Sequence, residues 1–269
     1  MHPIALFDSG IGGLSVLTHI RARLPGENLL YLADQAHVPY GLRSHAEIVQ
    51  FCEGITRFFL AQQAKVIVIA CNRASTVALT PLRECFPDVP FVGIDPAIKP
   101  AAQQTKTGKV GVLATVGTLE SERYASLMAR FAGDVSVWED PCVGLVELIE
   151  AGQTDTPEVE QFLRRTLAPM LANGVDTLVL GCTHYPFIRP LLHHIAPHLT
   201  LIDPAPAVAQ QTHRVLQQAQ LLAPATTNGQ ITLLTTGPAA PFATLARQLI
   251  GYDGGVGTAV WHDSVLRYS

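Results

Sequence analysis

The stretch KVIVIACNRAS (65–75) decides the fold. Its apolar run, Val66 to Ala70, shows no polar alternation and stops abruptly at Cys71-Asn72. A run of that length suits a strand buried on both faces, the kind found in parallel sheets. DTLVLGCTHYP (176–186) repeats the pattern, an apolar run ending in a cysteine and a hydrogen-bonding residue. Working outward, similar runs end at Asp8-Ser9-Gly10 after Ile4–Phe7, at Ala33-Asp34 after Leu29–Leu32, and at Asp95-Pro96 after Phe91–Ile94. Others end at Thr115 after Val110–Ala114, at Asp203-Pro204 after Leu199–Ile202, and at Thr235-Thr236-Gly237 after Ile231–Leu234. Helical stretches lie between them, among them His45–Gln63, Glu122–Phe131, Thr156–Ala172 and Ala205–Leu221. Alternating strand and helix predicts an α/β fold with mainly parallel sheets and right-handed crossovers. In such sheets ligands bind beyond the carboxyl ends of the strands, where these polar residues collect.

The spacing points to an internal duplication. Asp8 and Cys71 are 63 residues apart, and Thr115 and Cys182 are 67 apart. Each half then offers one strand ending in a short polar side chain and a later one ending in cysteine. The proline-bearing segments Asp95–Pro100 and Asp203–Pro206 are the expected domain crossings. Ala223–Gly229 reads as a loop, and the glycine-rich GYDGGVGT (251–258) as a turn, because no strand-then-helix context makes it a phosphate loop.

Composition narrows the class. The 269 residues are 48% hydrophobic and 15% charged, which excludes a disordered chain. A net charge of −4 and only four lysines, Lys65, Lys99, Lys106 and Lys109, argue against a nucleic-acid partner. The longest apolar run is far below the ~20 residues a bilayer span requires, so no membrane partner is expected. The opening HPIALFDSG reads as a strand rather than a signal peptide, which gives a cytoplasmic expectation. The five cysteines form no CxxC pair, so neither a zinc ribbon nor a disulfide framework is expected. Cys52, Cys85 and Cys142 read as small buried hydrophobes.

Cys71 and Cys182 differ from these three in their placement at strand ends. A thiolate serves as base or nucleophile where a helix N-terminus or a cation favours it. Two such thiols flanking a substrate could take a proton from one face and return one to the other, with His184 tuning or exchanging protons with its neighbour. Asp8-Ser9-Gly10-Ile11-Gly12-Gly13 admits two readings: a backbone cradle for a carboxylate or phosphate, or a tight turn capped by Asp8 or Ser9. Protease chemistry is disfavoured, since Cys182 and His184 sit too close along an extended strand end to bring their side chains together. His193, His194 and His198 read as a solvated helix end rather than a metal site. Lys99, in a proline-flanked AIKP, is a poor Schiff-base candidate.

Taken together, FDSGIGGLSV (7–16), PYG (39–41), IACNRAS (69–75), PAIKPAA (96–102), VLATVGT (112–118) and LGCTHYP (180–186) carry a family likeness. The chain resembles the cofactor-independent glutamate racemases of the aspartate/glutamate racemase superfamily, most sharply as far as Pro206. The resemblance implies two pseudosymmetric α/β domains with the active site in the interdomain cleft. One domain would hold residues 1–97 and 207–269, with Asp8 and Cys71; the other would hold 98–206, with Cys182 and His184. It further implies Cys71 and Cys182 as the proton-transferring thiols, with Asp8 assisting the first, and His184 and Glu150 the second. Asp8, Ser9, Tyr40, Gly41, Asn72, Thr183 and His184 match positions that hold the amino acid, with Thr115 and Thr118 adding contacts. No metal, pyridoxal or nucleotide cofactor is implied. The implied partner is glutamate, interconverted between its enantiomers to supply D-glutamate for peptidoglycan; a homodimer is left open.

Arg73 departs from the family, which usually carries threonine there in contact with substrate. Arginine is larger, permanently charged and suited to bidentate carboxylate binding. Three readings stay open: a side chain turned away, one that binds a carboxylate and alters substrate choice, or one that fills the pocket. The rival functions are accordingly another racemase of the superfamily, such as one for aspartate, or a regulatory scaffold with Arg73 occluding the site.

Overall fold

The computed structural model describes residues 2–224 and 228–269. The chain divides into two compact units, one of Met1–Ile94 with Ala205–Ser269 and one of Asp95–Pro204. It opens in the first unit with β1 (Ile4–Asp8), α1 (Leu14–Arg23), β2 (Leu29–Ala33), α2 (His45–Ala61), β3 (Val66–Ile69), α3 (Asn72–Cys85) and β4 (Phe91–Gly93). The second unit follows with α4 (Ile98–Gln104), β5 (Lys109–Leu113), α5 (Val116–Leu119), α6 (Glu122–Phe131) and β6 (Ser136–Asp140). It continues through α7 (Leu145–Glu150), α8 (Pro157–Ala172), β7 (Thr177–Leu180), α9 (Arg189–Ile195) and β8 (Thr200–Ile202). The chain then returns to the first unit with α10 (Ala205–Gln218), β9 (Ile231–Thr235), α11 (Ala239–Ile250), β10 (Val256–His262) and β11 (Val265–Tyr268).

Among the described residues the first unit forms a seven-stranded sheet in the order β11-β10-β9-β2-β1-β3-β4. All neighbours are parallel except the antiparallel pair β10–β11. The second unit forms an all-parallel sheet in the order β6-β5-β7-β8. The expected α/β class with mainly parallel sheets is therefore what the chain adopts. The unalternating runs do what their composition requires: every residue of β1, β2, β3 and β7 is buried, because helices cover both faces. The first core joins Phe7, Leu32 and Ile69 of the sheet to Ile55 and Phe59 of α2. The second gathers Val110, Val112 and Val179 with Tyr124 and Leu127 of α6.

Helix starts follow local side-chain chemistry. Ser44 and Glu47 form a reciprocal capping box at α2, an arrangement worth on the order of 1 kcal/mol. Ser121 caps α6 and Thr156 caps α8, where Pro157 occupies the first turn.

Three strands went unread in the sequence. β6 is an edge strand whose residues are only partly buried, so SVWED lacks the apolar signature. GYDGGVGT is a turn only as far as Gly255, because β10 begins at Val256 and pairs with β9 through Val256↔Leu233. A short hairpin then joins β10 to β11, with Asp263 left-handed at φ 53°. Of the loop read at 223–229, residues 225–227 lie outside the described residues. Cys85 also departs from expectation. It ends α3 exposed rather than buried, its sulfur 3.9 Å from Glu53 Oε1. Among the described residues no helix is long and apolar enough to cross a membrane.

Candidate active site

In the first unit the polar strand ends lie side by side. β1 ends at Asp8, fully buried, whose Oδ1 accepts the Ser9 backbone N–H at 2.6 Å and the Ser9 hydroxyl at 3.2 Å. Neither residue caps α1, which starts after Gly13 with no side-chain cap. Gly13 is required by contact: a Cβ there would meet Asp8 Cβ and the Tyr31 hydroxyl at 2.8 Å. Next to β1, β3 delivers Cys71 to the N-cap of α3, where Sγ accepts the Ala74 N–H at 3.5 Å. Free N–H groups and the helix dipole at that point stabilise negative charge on sulfur.

Asn72 follows in the first turn of α3. Its side chain is 3% exposed, and neither Oδ1 nor Nδ2 has a hydrogen-bond partner. A buried amide left unmatched costs about 1–3 kcal/mol, so a ligand that supplied both bonds would recover that cost. Arg73 is half-buried beside it, with its Nε out of solvent. Tyr40 is buried, and its hydroxyl donates to Asp34 Oδ2 at 2.7 Å. Burial, then the Asp34 charge, push that phenol well above its usual value. With its hydroxyl committed, Tyr40 has its backbone, with that of Gly41, to offer a ligand.

The second unit builds a different thiol environment. β7 delivers Cys182, and the chain turns at once: His184 has φ −74° and ψ −33°, a helical geometry. The turn folds His184 back, so that Nδ1 lies 3.5 Å from Cys182 Sγ. The sequence-based expectation that these side chains could not meet is therefore wrong, because the backbone leaves the extended conformation at this point. On its far side, Nε2 of His184 lies 2.6 Å from Glu150 Oε1 at the end of α7. Burial alone would push the imidazole down, but the neighbouring Cys182 sulfur and Glu150 carboxylate overcome it and hold His184 well above its usual value. The result is a carboxylate–imidazole–thiol chain.

Thr183 is buried beside this chain. Past the end of the neighbouring strand β5, Thr115 and Thr118 share a hydroxyl contact at 3.1 Å, with Thr118 buried. Tyr185 and Cys142 surround the same thiol and were missed as site neighbours. Tyr185 is fully buried, and its hydroxyl is pushed well up by burial and by the Cys142 and Cys182 sulfurs. Cys142 is likewise raised by burial and by Asp140. Tyr185 lay within the quoted LGCTHYP, but nothing in the sequence brings Cys142 to it.

The remaining candidates fall elsewhere. His193 and His194 are exposed in the last turn of α9. Lys99 is exposed, its ammonium 5.6 Å from the Phe131 ring centre. Among the described residues, no group of three or more His, Cys, Asp or Glu side chains is placed to hold a metal ion.

Residues 14–212 match the Asp/Glu/Hydantoin racemase family. The chain belongs to that family. Among these racemases it is 56% identical to the glutamate racemase of Pseudomonas aeruginosa over 221 residues, 82% of this chain and 83% of the relative. Identity to the glutamate racemase of Herpetosiphon aurantiacus is 51% over 248 residues, covering 92% of this chain and 97% of that one. The crystal structure of Escherichia coli glutamate racemase, with L-glutamate and the activator UDP-MurNAc-ala, superposes with a TM-score of 0.83 at 36% identity, covering 96% and 97% of the two chains. The racemase of Francisella tularensis, bound to D-glutamate, gives a TM-score of 0.83 at 29% identity over 98% of each chain. Racemases of this family are isomerases.

Proposed function

We propose that this protein interconverts L- and D-glutamate by moving the α-proton between two thiols, Cys71 and Cys182. The observation that carries the reading is that each unit presents a buried strand-end cysteine with its own device for managing charge. At Cys71 the device is the α3 N-terminus; at Cys182 it is the His184–Glu150 pair. One thiolate removes the α-proton, and the opposite thiol supplies a proton to the other face of the planar intermediate. Asp8 assists at Cys71. At Cys182, His184 holds a proton beside the sulfur and exchanges it as the thiol changes state, while Glu150 balances the imidazolium.

The α-proton is far too weakly acidic for a thiolate unaided, so donors must stabilise the charge that develops on the substrate carboxylate. Asn72, with unmatched donor and acceptor, suits that task. Ser9, the Tyr40–Gly41 backbone, Thr115, Thr118, Thr183 and His184 hold the charged ends of the amino acid, and Arg73 borders the same turn. No cofactor takes part in this scheme. The product, D-glutamate, supplies peptidoglycan synthesis in the cytoplasm and so supports cell shape.

The test is exchange of the glutamate α-proton with solvent deuterium, followed by chiral analysis of the product. Exchange with inversion on glutamate supports the proposal. Exchange on aspartate alone would move the chain to another substrate, and no exchange on either would leave it a non-catalytic scaffold.

A further inference from the structure

Beyond the thiols, the first unit contains another buried carboxylate that the chemistry above does not use. Asp34 follows the last residue of β2 and is fully buried. Both of its oxygens are occupied by side chains, Oδ1 from distant parts of the sequence and Oδ2 from the segment that follows Asp34 directly. Oδ1 accepts the Trp261 indole N–H at 2.7 Å and the Thr236 hydroxyl at 2.9 Å. Oδ2 accepts the Tyr40 hydroxyl at 2.7 Å and faces His37 Nδ1 at 2.8 Å. One oxygen therefore holds the C-terminal strands, and the other holds the segment leading into Tyr40-Gly41.

Packing makes the connection stiff. The His37 ring stacks on Phe51 of α2 with centroids 3.8 Å apart, and the Trp261 ring meets His37 edge-on at 5.3 Å. Trp261 also presses on α2 at Gly54, where a Cβ would come within 2.6 Å of the indole. Around the carboxylate, the Ala36 N–H donates to Thr236 at 2.9 Å, and Arg43 Nε donates to the His37 carbonyl at 3.2 Å. The turn is thus fixed at its start, its middle and its end.

We infer that Asp34 is a positioning residue, clamping the Tyr40–Gly41 turn to the C-terminal strands so that its backbone is held ready for the substrate's charged groups. The inference rests on the function proposed above, and it assigns a kinetic role to Trp261, which is itself no part of the proton-transfer machinery. A preorganised turn lowers the cost of binding, whereas a loosened one must be ordered by the substrate.

The experiment compares wild type with Trp261→Phe and Thr236→Val, each of which strips one donor from Oδ1 while keeping most of the shape. Loss of a hydrogen bond to a charged group corresponds to roughly tenfold or more in binding. KM for glutamate should therefore rise about tenfold, with kcat changing by less than about threefold. A Trp261→Phe/Tyr40→Phe double-mutant cycle should be non-additive in KM, because both donors act through one carboxylate. Unchanged KM in whichever of the two single variants folds, or strict additivity in the cycle, overturns the inference. A wild type that never exchanges the glutamate α-proton overturns the proposed function instead; a wild type that does exchange it, with unmoved variants, overturns the clamp alone.

Discussion

Replacing Glu150 with glutamine tests the charge chain at Cys182 with little steric change. The amide would keep an oxygen acceptor for His184 Nε2, now 2.6 Å from the carboxylate, but would lose the charge. A hydrogen bond to an ionised group is worth about 1.5–3 kcal/mol, against about 0.5–1.5 kcal/mol for a neutral one. The difference of about 1–2 kcal/mol corresponds to roughly 5- to 30-fold in rate. The two side chains are only 2% and 12% exposed, so solvent screens the interaction weakly and the upper part of that range applies. In initial-rate assays with either enantiomer, Glu150→Gln should lower kcat by about tenfold or more, with a smaller effect on KM.

The pH dependence gives an independent readout. Burial pulls His184 down, and the Cys182 and Glu150 charges together hold it up. With the Glu150 charge gone, His184 loses its proton at lower pH, so the basic limb of the rate profile moves toward acid. Stability follows the same sign. A histidine raised in the folded state contributes stability fully present below its unfolded value of about 6.5 and lost as pH rises through the folded value. The destabilisation caused by Glu150→Gln should therefore be largest in acid and fade at high pH. A kcat within twofold of wild type and an unmoved basic limb would show that the carboxylate does not act through His184.

Other substitutions separate the remaining roles. Cys71→Ala and Cys182→Ala should each abolish racemisation with the fold intact by circular dichroism, and near-native turnover in either would remove that thiol from the mechanism. Asn72→Ala should cost on the order of 100-fold in kcat if its amide stabilises developing charge, and a change confined to KM would make it a ground-state ligand. Arg73→Thr should change the constants for glutamate by roughly ten- to a hundredfold if the guanidinium lines the pocket. Faster turnover would identify Arg73 as an obstruction, weaker binding as a ligand, and unchanged constants for glutamate and aspartate as a side chain turned away.

What the sequence could reveal depended on how local the governing physics was. Strands buried on both faces announce themselves through composition, so β1, β2, β3 and β7 were legible from their apolar runs. The partly exposed β6, and the β10–β11 hairpin with its alternating burial, carry no such signature. Cys71 at a helix N-cap was likewise readable, because one strand-to-helix junction sets it. The Cys182–His184 contact was not, since it depends on a turn of two residues that an extended reading leaves out. Asp34 stood in view at a strand end, but its partners Thr236 and Trp261 lie 202 and 227 residues away. Only the sheet order, with β9 beside β2, brings them to it.

The two thiols face a reaction whose symmetry they do not share. Enantiomers in water have equal free energies, so kcat/KM must be the same in both directions whatever the protein does. Yet Cys71 has backbone N–H groups and a helix N-terminus against its sulfur, with Asp8 assisting, whereas Cys182 has an imidazole against its sulfur and a carboxylate behind that ring. The asymmetry can therefore appear only where the symmetry constraint is silent: in kcat and KM taken separately, and in isotope effects. Weakening the Cys182 side raises the barrier to proton removal for the enantiomer from which Cys182 abstracts, and the barrier to proton delivery for the other. Glu150→Gln should then enlarge the α-deuterium isotope effect for one enantiomer and shrink it for the other. An imidazole stands against the sulfur at Cys182 and a helix N-terminus at Cys71, so the pH dependence of that difference should follow His184. Isotope effects that shift equally for both enantiomers would refute this division of labour.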